Sequence, residues 1–183
     1  MFEANRIVQD KSISVVATWQ AEQQASDVQR DIFDSHRHRV FALAFYMTGN
    51  ELEAEEILTS TFIEAFRGAA EPQAAQIDAA LVGELRQRFP LSAQDAAPEI
   101  RVSVSQDLSG RNVRRTDLEE AIHELPPSER LLFLLRDVEG YSPAAIAEIL
   151  DMTETKIQRG LFSARMRLRQ LLAAGQASEQ QAA

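Results

Sequence analysis

Apolar residues recur three and four positions apart over most of this chain, the spacing that lines them along one side of a helix. Ile32, His36, Val40, Leu43 and Met47 share one stripe, and Phe33, Phe41, Ala44 and Phe45 widen it. They predict a helix from about Asp27 to Thr48, ended by Gly49, since glycine takes a left-handed cap at little cost. A second helix follows at once. Asn50 stands at its cap with Glu53 three residues on, a capping-box spacing. Its apolar positions are Ala54, Ile57, Leu58, Thr61, Phe62, Ala65 and Phe66, and Gly68 is its stop. Ile77, Leu81 and Leu85 predict a third helix over about Pro72 to Arg88, closed by Pro90.

Residues 90–116 hold no sustained period and read as a linker. Beyond them the helical pattern resumes. Thr116 is placed to cap "DLEEAIHEL" with Glu119 as reciprocal partner, and Pro126–Pro127 breaks that helix and opens "SERLLFLLRDVEG". Ser142 caps a short helix with Pro143 at its first position, where a missing N–H costs nothing. This helix turns at Asp151–Met152, and Thr153 caps a last helix running to about Ala173. Two β-branched runs, "SISVV" (12–16) and "IRVSVS" (100–105), are expected to be irregular or locally extended. The expected architecture is all-α: an N-terminal extension (1–26), a three-helix domain (27–89), a linker (90–115), a helix-turn-helix domain (116–175) and a polar, frayed tail (176–183).

Composition narrows the chemistry. The 183 residues include no cysteine, which removes disulfides, thiolate metal sites and cysteine nucleophiles. No apolar run approaches the roughly 20 residues of a membrane span. No signal-peptide pattern is present. A soluble protein of the cytoplasm is expected. The formal net charge is −9, but it is segregated. Residues 27–89 carry 11 acids and 6 bases, or −5; residues 153–173 carry five bases against Glu154, or +4. Exposed charges are screened beyond about 8–10 Å, so the local patch governs polyanion binding more than the total does. The same segregation predicts that the acidic first domain folds against the basic last helix.

The stretch "GYSPAAIAEILDMTETKIQRGLFSARMRLRQLL" (140–172) has helix-turn-helix spacing. Ile146, Leu150, Met152 and Ile157 would form the core between the two helices, with Ala147 at their crossing. Ile157, Leu161, Ala164, Leu168 and Leu171 would be the buried stripe of the second. The opposite face would show Thr155, Lys156, Arg159, Phe162, Ser163, Met166 and Arg169, as a helix entering a major groove would. An ordinary helical hairpin with a solvated basic face satisfies the same spacing.

"LPPSER", "FLLRDVEGYS", "IAEIL" and "ARMRLRQLL" resemble region 4 of the extracytoplasmic-function (ECF) sigma factors of bacterial RNA polymerase. "FDSHRHRVFALAFYMTGNELEAEEILTSTFIEAF" resembles region 2 of that family, in the family's order. The resemblance implies a non-enzymatic initiation factor without a cofactor. Its partners would be core polymerase, through the β′ clamp helices and β flap, promoter DNA, and an anti-sigma factor; no membrane and no small-molecule substrate is implied. Carried over by position, the polymerase-binding surface would include Glu53, Glu56, Thr59, Ser60, Phe62 and Ile63. The −35 element would be read by Thr153, Glu154, Thr155, Lys156, Gln158 and Arg159, with Ser163 added from the exposed face. Arg165 and Arg169 would serve as phosphate or structural positions. The stretch "EPQAAQIDAALVGELRQRFPLSAQ" lacks the tryptophan and asparagine with which the family captures the −10 element, so no residue is assigned to that task. Gln158 and Gly160 also depart from the family's usual basic residues.

His36 and His38 fall on different helix faces, which points to a core histidine rather than a metal pair. Glu51, Glu53, Glu55 and Glu56 open a helix, where negative charge suits the dipole. Trp19 is expected to pack on the first domain. No phosphate loop, nucleophile elbow or zinc spacing occurs. Two other functions stay open: a sigma-like regulator working through protein contacts without promoter opening, and a plain helix-turn-helix DNA binder.

Overall fold

No glycine or proline interrupts the chain between Glu3 and Thr48, and in the computed structural model this whole stretch is one helix, α1 (Glu3–Thr48). The structure describes the backbone of residues 3–89, 91 and 114–182, and the side chains of 23–89, 91 and 114–174. The expected start at Asp27 is therefore too late, and the extension 1–26 is not separate from α1 over its described part. "SISVV" is helical too: a few β-branched residues cost a helix only tenths of a kcal/mol each, and nothing nearby breaks it. The side chain of Trp19, the "IRVSVS" run and most of the expected linker lie outside the described residues.

Gly49 ends α1 at φ +70°, and α2 (Glu51–Gly68) starts two residues on. Asn50 caps it, its Oδ1 accepting from the backbone N–H of Leu52 at 2.9 Å and of Glu53 at 3.3 Å. In place of Glu53, it is Thr48 Oγ1 that receives the Asn50 N–H, at 3.2 Å. Helix α3 (Ala74–Arg88) completes the first half. Val40, Leu43, Met47, Ala54, Ile57, Phe62, Ile77, Leu81 and Leu85 are buried between the three. Phe33 meets Phe62 edge-on at 4.8 Å.

The second half begins with α4 (Arg115–Glu124). Thr116 lies inside its first turn rather than at the cap, which falls on Arg114, and Glu119 pairs with Arg115 at 2.7 Å. Helix α5 (Pro127–Phe133) starts on Pro127 as expected. Its continuation over Leu134–Val138 widens to π geometry. After Gly140 (φ +79°) comes α6 (Pro143–Leu150), capped by Ser142 Oγ on the Ala145 N–H at 3.1 Å. Asp151 makes the turn in the left-handed region (φ 52°). Helix α7 spans Glu154–Ala182 with Thr153 at its cap. It runs nine residues past the expected end and takes in the backbone of the expected tail. One glycine, Gly175, costs it only about 1 kcal/mol, and no proline follows.

All described secondary structure is helical, so the all-α expectation stands. The two halves are packed together. Their buried apolar residues form one cluster from Val40 to Leu172. Contacts join α3 to α6, and α1 to α4 and α5.

Candidate nucleic-acid interface

Helices α6 and α7 form the helix-turn-helix. Ile146 and Ile157 are fully buried where they meet, Ala147 and Leu150 nearly so. The Met152 N–H returns to the Ala147 carbonyl at 2.9 Å, which fixes the turn. That geometry leaves Thr153, Thr155, Lys156, Gln158 and Arg159 exposed on the first turns of α7, with Arg169 further along. Lys156, Arg159 and Arg169 make no ion pair among the described residues.

One sequence expectation for α7 changes, and two further residues gain a structural account. Ser163 does not lie on the exposed face. It is buried and donates to Glu129 Oε1 at 2.7 Å. Glu129, fully buried, also accepts from Arg167 Nε at 2.9 Å. A buried carboxylate needs such partners, and these two side chains are spent on it. Arg165 is exposed but forms a two-pronged pair with Asp137, at 2.6 and 3.0 Å; Asp137 is what holds its charge raised in pKa. Gly160 has a packing reason. A Cβ there would stand 2.4 Å from Leu132 Cδ1, so its absence lets α5 and α7 approach closely. Phe162 is 61% exposed.

On α2, Glu53, Glu56, Thr59 and Ile63 are exposed and Ser60 half-buried. Phe62 is a core residue, 4% exposed, and is corrected from the surface set. Sequence reading missed Leu52, which is 72% exposed. Leu52, Glu56, Thr59 and Ile63 are spaced four, three and four apart, so they form one stripe about 16 Å long with an apolar residue at each end.

The sequence also gave no hint of the contacts between the halves. Asp78 on α3, 4% exposed, pairs with Arg39 Nη1 at 2.6 Å and accepts the Tyr141 hydroxyl. Arg39 also donates to that hydroxyl, at 2.7 Å. Burial, with the Asp78 carboxylate beside it, pushes the Tyr141 phenol up to about 12. Burial raises Glu139 as well. Arg86 donates to the Leu150 carbonyl at 2.5 Å, and Arg130 to the Met47 carbonyl at 2.7 Å. Arg130 further holds the carbonyls of His123 and Leu125. His123 lies over Tyr46 and edge-on to Phe45, and a Cβ added at Gly49 would stand 3.4 Å from its Cε1. Its pKa is lowered by burial and by Arg130, against a raising influence from Glu119. None of these joining contacts comes from α7, so the expected closure of the acidic domain onto the basic last helix is corrected to a closure onto α4–α6. His36 is half-buried and His38 exposed, and no metal-binding cluster occurs among the described residues. No helix among the described residues is long and apolar enough to cross a membrane.

Comparisons with known proteins agree with this geometry. Residues 115–168 match the family described as sigma-70, region 4. The ECF RNA polymerase sigma factor SigE of Mycolicibacterium smegmatis is 28% identical over 156 residues, which cover 78% of this chain and 61% of SigE. The match thus spans about three fifths of that relative. The sigma factor RpoE of Bartonella quintana, solved in complex with the anti-sigma factor NepR, superposes with a TM-score of 0.54. It covers 84% of this chain and 97% of RpoE at 20% identity, a likeness of fold. Residues 115–168 are thus similar to sigma-70 region 4, the likeness to SigE supports an ECF sigma factor, and the RpoE superposition shows the same fold.

Proposed function

We propose that the chain is a transcription initiation factor that carries core RNA polymerase to a promoter and has no catalytic role of its own. The observation that carries this reading is the helix-turn-helix within the matched region 4. It leaves Thr153, Thr155, Lys156, Gln158 and Arg159 exposed at the start of α7, where a reading helix meets base edges. Lys156, Arg159 and Arg169 would attract phosphates, and Gln158 and Arg159 have the donor geometry to read a base pair of the −35 element. The α2 stripe of Glu53, Glu56, Thr59, Ser60 and Ile63, with Leu52 added, would dock on the β′ clamp helices, and region 4 on the β flap. Such a factor works where polymerase works, in the cytoplasm. An anti-sigma partner is part of the proposal, on the precedent of the RpoE–NepR complex. The test is a pull-down with core polymerase followed by run-off transcription. Retention on core and promoter-specific transcripts are expected; no retention would sink the reading.

A second reading is favoured by one observation. Helix α3 turns Asp78 and Arg86 onto the second half of the molecule rather than into solvent. A sigma-like regulator that contacts polymerase without opening DNA would show core binding and no permanganate-reactive bases on any promoter.

A further inference from the structure

We propose that Glu129 is a positioning residue for the reading helix. It sets the rotation and register of α7 on α5, and with them which side chains of α7 meet base edges. This rests on the promoter reading above and names a determinant of its specificity.

Two unlike contacts join α5 to α7. Leu132 fills the space left open at Gly160. One turn earlier on α5, Glu129 sits between Ser163 and Arg167, which lie one and two turns beyond Gly160. Contacts that climb α5 therefore descend α7, so the two helices run in opposite directions. Gly160, Ser163 and Arg167 are spaced three and four apart and share the face turned to α5. Glu129 is fully buried, Ser163 nearly so, and three quarters of the Arg167 side chain is covered. Arg167 Nη2 is buried with no partner among the described residues, so loss of Glu129 would strand that guanidinium.

Apolar packing scales with buried area and has no direction. A buried carboxylate is more exacting. Its bonds to Ser163 and Arg167 are 2.7 and 2.9 Å long, and a shift that breaks them leaves a charge buried without a partner. The pair of Arg165 with Asp137 also ties α7 down, but it is partly exposed, and pairs of that kind hold weakly. Side-chain tips lie about 5–6 Å from a helix axis, so a turn of ~20° carries Gln158 or Arg159 roughly 2 Å sideways. Hydrogen-bond lengths vary by only about 0.5 Å. A small rotation of α7 thus breaks a base contact while its apolar face stays covered. Stability alone does not explain the buried trio, since apolar residues of similar volume generally serve a core as well or better.

The test separates stability from reading. In Glu129→Leu/Ser163→Ala/Arg167→Met the trio becomes apolar at unchanged net charge. In Glu129→Gln both contacts can persist: the amide oxygen accepts from Arg167 Nε and the amide nitrogen donates to Ser163 Oγ. Only the charge that balances Arg167 is lost. Each full-length protein, bound to core polymerase, selects from a random duplex library. Affinities for the enriched sequence and for its single-base substitutions are then compared by fluorescence anisotropy. The parent is expected to enrich one −35 sequence. The triple variant should keep or raise the urea midpoint yet lose about tenfold or more in discrimination, one base contact's share. Glu129→Gln should do the reverse, lowering the midpoint and keeping the parent's discrimination. If the triple variant does not fold, Ser163→Ala is read in its place and should show a smaller loss of discrimination. A folded triple variant, or failing that Ser163→Ala, that discriminates as the parent does overturns the positioning role. So does a loss in Glu129→Gln equal to that of the triple variant. A parent that enriches no sequence overturns the promoter reading and the positioning role with it.

Discussion

At the scale of single residues, the basic face of α7 is smaller than its composition implies. Of five cations, Arg167 neutralises the buried Glu129 and Arg165 is held by Asp137. That leaves Lys156, Arg159 and Arg169 for phosphates. A DNA-binding constant should therefore fall with salt at a slope near −2.7 in log–log form, at about −0.9 per phosphate neutralised. Lys156→Ala, Arg159→Ala and Arg169→Ala should each flatten that slope by about 1. Ser163→Ala should leave it unchanged, and fluorescence-anisotropy titrations at several salt concentrations check both. Gly160 offers a second test. Alanine there gains about 1 kcal/mol of helix propensity but drives its Cβ into Leu132, and overpacking costs about 1–3 kcal/mol. Gly160→Ala should lower the urea midpoint in the parent and raise it in a Leu132→Ala background. Equal effects in both backgrounds would refute the packing account.

At the scale of elements, much was legible from sequence because the signals were local. Asn50, Gly49, Ser142, Pro143, Pro127 and Thr153 each mark a helix boundary through a side-chain cap or a restricted or permissive backbone, and the structure has those boundaries. The failures have two causes. The ends of α1 and α7 were misplaced because a weak apolar stripe was read as a stop, whereas a helix continues until something breaks it. Ser163 is misplaced because one residue of helical phase, about 100°, separates a surface position from a buried one; Phe62 lies on the predicted apolar stripe and enters the surface set only through the family resemblance. The π turn at Leu134–Val138 carries no signature that periodicity would show. It adds a residue to the turn, and Asp137 within it pairs with Arg165. Helix α3 permits a clean measurement. Gly83 is exposed mid-helix, and a Cβ there meets nothing within 4 Å. Gly83→Ala should stabilise the protein by about 0.5–1 kcal/mol in urea denaturation. A loss of stability would refute the open space around this position.

At the scale of the molecule, no local signal foretold how the halves meet. Asp78 with Tyr141, and Arg130 with Met47, are pairings between distant segments, and a single sequence carries no mark of them. His123 lies in this seam, with Arg130 of α5, Glu119 of α4 and the rings of Tyr46 and Phe45 of α1 around it. Its pKa is depressed below the usual 6.5, so the folded state favours the neutral ring. The stability this confers is present above pH 6.5 and is lost as pH falls through the depressed value. Between pH 8 and pH 5 the parent should lose more stability in urea titrations than His123→Gln, which isolates this group from carboxylates titrating nearby. Equal losses would clear His123 of the effect. Arg86 and Arg130, each bonded to a helix-end carbonyl of the opposite half, carry one more consequence, for folding itself. Since each half finishes a helix belonging to the other, neither end is fully satisfied until both halves are in place. The chain should melt as one cooperative unit, with helix content and the Tyr141 absorbance signal lost together. Cutting Arg86 and Arg130 back to alanine in the same molecule should split that single calorimetric peak into two.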